Sequence, residues 1–229
     1  NGTVQAQASA AMAAFGGDAR DPAAWWAATQ QALTTMLGAT DPSRVAALAV
    51  DGTSGTLLAV DRSGAPLSSG RMYNDAVADP AILASIAAHA PPTSAAHGPT
   101  SGLAKLIRLQ DIAGAARVVH QADWVSGRFS GRFDVSDENN ALKTGYDPVA
   151  RRWPDWMHGT AAKIELLPHV RPPGMPIGPI LADIADAFGL PRSTLIVAGT
   201  TDGCASFLAT GASEPGEAVT ALGSTLTLK

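Results

Sequence analysis

Apolar residues recur along this chain with two periods, and the breaks between them fall at glycine, proline and aspartate. Asp21-Pro22-Ala23-Ala24-Trp25-Trp26 opens a helix with Asp as cap and Pro in the first turn. The helix runs to about Leu37, where Gly38 ends it. Arg44 to Val50 reads as a buried strand, and the turn Gly52-Thr53-Ser54-Gly55 leads to a second one, Thr56 to Val60. With a further turn at Arg62 to Pro66, the spacing predicts an antiparallel meander. Helices are predicted over Pro80–Ala90, Ser101–Gln110, Ala161–Leu167, Pro179–Phe188 and Cys204–Thr210, with Asp123 capping another. Strands are predicted at Ala116–His120 and Thr194–Ala198, and a final hairpin at Glu217–Leu222 and Thr225–Leu228. Residues 127–154 are rich in turn chemistry and read as loops. Alternating helices and strands of this kind predict an α/β fold with a mixed sheet.

Composition narrows the class. Apolar residues make up 46% of the 229, enough for a sizeable core, yet only 5% are aromatic, so alanine-faced, closely packed helices are expected. The net charge of −4 and the absence of a Lys/Arg run argue against nucleic acid and anionic membrane partners. The single cysteine, Cys204, excludes an internal disulfide and a multi-cysteine metal site, and with no signal-peptide pattern this points to the cytoplasm. The five histidines, at 89, 97, 120, 158 and 169, lack ligand spacing and read as surface or core residues, with no metal-ligating set among them.

Three segments carry candidate chemistry. Asp51-Gly52-Thr53-Ser54-Gly55-Thr56 and Gly199-Thr200-Thr201-Asp202-Gly203 each follow a strand with small residues whose N–H groups and hydroxyls admit phosphate or sugar oxygens. Read alone, the first serves equally as a plain hairpin turn and the second as a strand-to-helix turn capped by Asp202. Neither is a Walker loop, because no Gly-Lys-Thr or Gly-Lys-Ser follows. Asp137-Glu138-Asn139-Asn140-Ala141, with Asp134 before it, sets acids beside amides. That pattern holds a polyol and takes a proton from its hydroxyl, or forms a solvated loop.

The order of these motifs resembles the FGGY carbohydrate kinases, most closely their ribulose/xylulose kinase-like branch. The resemblance spans nearly the whole chain: Asp21-Pro22 with Trp25-Trp26, Ala49 to Thr56, Leu57 to Asp61, Arg71-Met72-Tyr73-Asn74-Asp75, Ser101 to Lys105, Gln121 to Trp124, Ser136 to Tyr146, Ala198 to Asp202, and Gly216 to Thr225. It implies two ribonuclease H-like (actin-like) domains with the site in the cleft between them. The implied reaction is transfer of the γ-phosphoryl group of ATP, with Mg2+, to a hydroxyl of a small-molecule sugar, here D-ribulose or D-xylulose.

By motif match, Asp137 is the catalytic base, because Asp137-x-x-Asn140-Ala141 takes the family pattern and Asp134 falls out of register. Asp51, Gly52, Thr53, Ser54, Tyr73, Asn74, Asp75 and Asn140 match sugar-binding positions, and Lys105 lies with them. Gly199, Thr200, Thr201, Asp202, Gly223 and Ser224 match phosphate-facing positions. Because Asp51-Gly52-Thr53 follows the Trp-Trp helix, it matches the second loop of the family and not the first phosphate loop. The resemblance implies a sugar-binding domain over 1–192, lacking its first strand-turn-strand, and the beginning of a nucleotide-binding domain over 193–229. Such a chain alone is expected to have little or no kinase activity. Its unfinished hairpin offers a strand edge for self-association, as a homodimer at its simplest. The competing readings are a sugar-binding pseudoenzyme or interaction module, and an actin-like nucleotide hydrolase.

Overall fold

The computed structural model describes residues 2–16, 18–222 and 226–228. The first long element is helix α1 (Pro22–Leu37), where the Asp21 carboxylate accepts the Ala23 N–H and Pro22 starts the first turn. Strand β1 (Ala47–Ala49) follows, then β2 (Leu57–Val60), α2 (Pro80–His89) and α3 (Gly102–Leu109). Next come β3 (Arg117–His120), α4 (Gln121–Ser130), β4 (Val135–Asp137) and α5 (Glu138–Leu142). The rest comprises β5 (His169–Arg171), β6 (Pro176–Pro179), α6 (Ala182–Phe188), β7 (Leu195–Val197), α7 (Asp202–Leu208), β8 (Thr220–Leu222) and β9 (Leu226–Leu228).

The meander is not formed as the spacing predicts. Strand β1 pairs in parallel with β7, Ala47 opposite Leu195, whereas β2 pairs antiparallel with β3, Leu57 opposite His120. The intervening Gly/Thr turn does not fold β2 onto β1, because its backbone is used elsewhere: Gly52 N donates to Thr200 O at 3.3 Å and Asp202 N to Gly52 O at 3.0 Å. The second turn does fold back, with Leu67 N donating to Ala59 O at 2.8 Å. Strand β6 completes a mixed sheet in the order β1-β7-β6, antiparallel to β7. Strands β4 and β5 pair in parallel, and β8 and β9 antiparallel. Strand β7 lies beyond the expected boundary at 192/193, yet it is the central strand of the first of these sheets.

Leu57-Leu58-Ala59-Val60 is continuous in hydrophobicity because both faces of β2 are covered. Leu57 and Ala59 pack into one core with Ile82, Ile86, Leu103 and Leu106 of α2 and α3. Leu58 and Val60 pack into another with Trp25, Trp124, Phe129 and Ala185 of α1, α4 and α6. The layers are thus helix, strand, helix. Trp25 and Trp124 meet edge to face at 6.1 Å, and each indole N–H reaches a backbone carbonyl, at Ala19 and Gly64.

Other elements depart from expectation at their ends. Residues 127–154 are less loop-like than their composition suggests, since α4 runs to Ser130 and β4 and α5 lie within them. Asp123 is not the cap of α4 but its third residue; its carboxylate accepts the His120 N–H in a capping box. Between 161 and 167 only a short 3-10 turn forms, Ile164–Leu166. Thr201, not Asp202, caps α7, its hydroxyl accepting the Cys204 N–H at 3.3 Å. Cys204 is half-buried.

Candidate active site

Because β1 and β7 run in parallel side by side, the two Gly/Thr turns leave the same end of one sheet. Ligands bind at the carboxyl ends of such strands. The turns touch along their backbones: Gly52 and Thr201 form a parallel bridge, and the Asp51 carboxylate accepts the Thr200 N–H at 2.8 Å. The contact requires glycine at 199, where a Cβ would stand 2.0 Å from Val50 O. Gly52 is similarly pressed on α4, its Cβ position 3.0 Å from Ala122 Cβ.

Asp137 reaches this junction from β4. It ends that strand and caps α5, Oδ1 accepting the N–H groups of Asn139 and Asn140, each at 2.9 Å. Oδ2 accepts the Asn140 amide at 2.6 Å. Two neighbouring side chains tie α5 to the second turn: Asn139 Nδ2 donates to Thr200 Oγ1 at 2.7 Å, and Asn140 Nδ2 also reaches Thr200 O at 3.3 Å. Thr200 is therefore the hub joining Asp51, Gly52, Asn139 and Asn140.

The electrostatics of Asp137 are divided. Burial pushes its carboxyl up from the ordinary range, and the donors from Asn140 and Asn139 pull it back. Beneath it lies a second buried carboxyl, Asp123, pushed well up by burial and then by repulsion from Asp137. A buried pair of this kind separates into one proton-holding and one ionised member. His120, at the start of α4, is driven down to about 3 by burial and the charges of Lys105 and Lys143, so it is neutral. Its Nε2 lies 3.2 Å from Thr144 Oγ1. Thr56 Oγ1 and Asn140 Oδ1 are buried without a protein partner among the described residues.

Tyr73, Asn74 and Asp75 lie on a strap beside β2, where Arg71 and Leu57 exchange backbone hydrogen bonds. Tyr73 and Asn74 are exposed, whereas both Asp75 oxygens are engaged, by Arg20 at 2.6 and 3.3 Å and by Met72 N at 2.8 Å. The Arg20 guanidinium holds the Asp75 carboxyl below its ordinary range. Asp51, Gly52, Thr53 and Asp202 share a cavity of ≈ 380 Å³ with Trp25 and Gln121; Asp137, Tyr73 and Asn74 are not in its wall. Ser54 is half-buried in the first turn. Gly223 and Ser224 lie outside the described residues.

Sequence reasoning missed Asn139 as a tie to Thr200, Arg20 as the partner of Asp75, and Asp123 as a carboxyl below Asp137. Asn139 had a signal in its place between Asp137 and Asn140. Arg20 had none, because its partner is 55 residues away.

The residues present fit a magnesium nucleotide. Among the described residues no group of three His, Cys, Asp or Glu side chains forms a metal cage. Mg2+ commonly binds through one or two carboxylates and the phosphates themselves, and Asp51 and Asp202 stand exposed at the two turns.

No family model matches the chain. Among solved structures it is similar to a xylulose kinase from Rhodospirillum rubrum, at 23% identity and TM-score 0.75, covering 87% of this chain and 44% of that one. A kinase from Brucella ovis described as a xyloylose kinase matches at 22% identity and TM-score 0.76, covering 91% and 45%. Plasmodium falciparum glycerol kinase with ADP matches at 13% identity and TM-score 0.72, covering 89% and 43%. The chain thus spans less than half the length of these three proteins. Within that span it shares the fold of these kinases, an α/β architecture with a mixed sheet and flanking helices.

Proposed function

We propose that the chain is the sugar-binding part of an FGGY carbohydrate kinase that phosphorylates a ketopentose, D-xylulose or D-ribulose. The observation that carries this reading is Asp137, buried at the end of β4 and hydrogen-bonded through Asn140 to the paired Gly/Thr turns. The similar structures named xylulose kinase and glycerol kinase support transfer to a polyol hydroxyl.

In this mechanism Tyr73, Asn74 and the Asp51–Ser54 turn hold the sugar, with Asn140 beside the reacting hydroxyl. Asp137 accepts the hydroxyl proton as the sugar oxygen forms its bond to the γ-phosphorus and the bond to the β-phosphate oxygen breaks, leaving ADP. The two amide N–H donors on Oδ1 keep the carboxylate aimed and ionised, while burial keeps it basic enough to take the proton. The Gly199–Asp202 turn faces the phosphates, with Gly223 and Ser224 assigned to the same task. Asp51 and Asp202 would hold Mg2+, which would neutralise phosphate charge there. The nucleotide-binding domain begins, in this reading, beyond β7, which belongs to the first sheet. A cytoplasmic, homodimeric enzyme completes the proposal.

Asp137→Asn in the intact kinase tests it. Turnover with D-xylulose or D-ribulose is expected to fall about 10²–10⁴-fold while KM for the sugar changes little. Near-normal turnover would remove Asp137 as the base.

A further inference from the structure

Among the described residues Lys105 is the largest fully buried side chain. It sits in the middle of α3, a helix in which every residue but Arg108 is buried. An ammonium in such a place is costly unless it is fully engaged. Its Nζ donates to Gly55 O at 2.7 Å and to Tyr73 O at 3.1 Å. Those two carbonyls belong to separate segments: one closes the Asp51–Thr56 turn, the other lies on the Arg71–Asp75 strap. No side chain from either segment makes this link; the amine comes from a third element behind both.

The strap is held at its far end as well. Asp75 anchors it to Arg20 and to Met72 N. Between these anchors Tyr73 and Asn74 turn outwards. The Gly55 and Tyr73 carbonyls thus share one nitrogen, two residues out from the Leu57–Arg71 backbone pair, while Tyr73 and Asn74 face solvent.

We propose that Lys105 is a positioning residue that sets the spacing between the Gly52–Gly55 turn and the Tyr73–Asn74 strap, and with it the affinity of that face for a sugar. The sugar part rests on the function proposed above. Lys105 itself is fully enclosed, so it acts through the two backbones it holds and not by touching the ligand.

The charge on the amine matters to this task, because bonds from an ammonium are roughly twice as strong as those from a neutral donor. The charged groups facing it are Asp75 and Arg71 on the strap and Lys143 just after α5; His120, from β3, is neutral. Burial, outweighing the attraction of Asp75, brings the amine down to about 8. Its proton is therefore lost just above neutrality. Between about 8 and the ordinary 10.5 the folded amine is neutral while the unfolded one is charged, so this group makes folding more favourable as pH rises through that window. Sugar affinity is expected to move the other way. A lysine with a purely structural role gives no such opposition.

The test compares the intact protein with its Lys105→Met variant by amide hydrogen exchange and by calorimetry with D-xylulose and D-ribulose at pH 7 and pH 9. The variant is expected to exchange faster in residues 52–56 and 71–75 together, with β2 and β3 still protected. Its sugar affinity is expected to fall by about 10–100-fold, the scale on which a displacement of about 1 Å is felt. Wild-type affinity is expected to weaken from pH 7 to pH 9, and the variant to be flat. Unchanged exchange in the two segments would overturn the inference, whatever the sugars do. If the variant does not fold, wild-type affinity that holds steady from pH 7 to pH 9 overturns it. Faster exchange in a protein whose wild type binds neither sugar would sustain the brace and overturn the sugar reading.

Discussion

The Asp137 cap is legible in the chain because it depends on neighbours two and three places away. An Asp followed by Asn139 and Asn140 can cap a short helix with its own carboxylate, and the structure uses both backbone N–H groups and the Asn140 side-chain amide. Gly199 is the opposite case. Nothing in Val197-Ala198-Gly199 says why glycine is needed, since the reason is Val50 O, 2.0 Å from the missing Cβ. Its backbone is not left-handed, so the demand is for space alone. Gly199→Ala is expected to force β1 and β7 apart and cost about 1–3 kcal/mol, read as a lower urea midpoint with unchanged slope. An unchanged midpoint would mean that the turns part freely.

Helices α1, α2 and α3 were readable at their starts because capping is local. Asp21, Asp79 and Ser101 each precede a periodic run, and each side chain accepts an N–H of the first turn. The buried Ser101 cap of α3, Oγ to Ala104 N at 3.1 Å, is worth about 1 kcal/mol, so Ser101→Ala should lower thermal stability by that amount. Ser101→Asp should retain most of it. Strand pairing was not readable in the same way. The turn at Gly52–Gly55 has hairpin composition, yet Gly52 N donates to Thr200 O and Gly52 O accepts from Asp202 N, both far along the chain, and β1 goes with β7. Loop closure by itself favours the short hairpin, so it is the distant partner that decides.

Across the molecule, helices cover both faces of β2 and a set of buried titratable groups lies under the site. His120 and Asp123 should shape the stability profile in opposite directions. From 6.5 down to about 3 the unfolded His120 is charged and the folded one is not, so its contribution is lost as pH falls through that range. Asp123 holds its proton above the ordinary 3.8 when folded, so its contribution is full below that value and declines as pH rises. Asp123→Asn keeps an acceptor for His120 N and removes the second effect. Its melting temperature should exceed that of the wild type at pH 7 and converge with it near pH 4. A gain that is the same at both values would mean that Asp123 is ionised throughout.

By itself the chain determined what depends on neighbours within a turn or two: the caps, the buried run at 57–60, the small-residue turns at 51–56 and 199–203, and the motif at 137–141. Tertiary structure alone decided which strands pair, that both turns leave one end of one sheet, and that Lys105 and Asp123 lie buried beneath them. The physical reason is range. Capping and periodicity are satisfied by atoms a few residues apart. The cost of burying a charge, by contrast, is set by whichever distant carbonyls and carboxyls the fold brings to it.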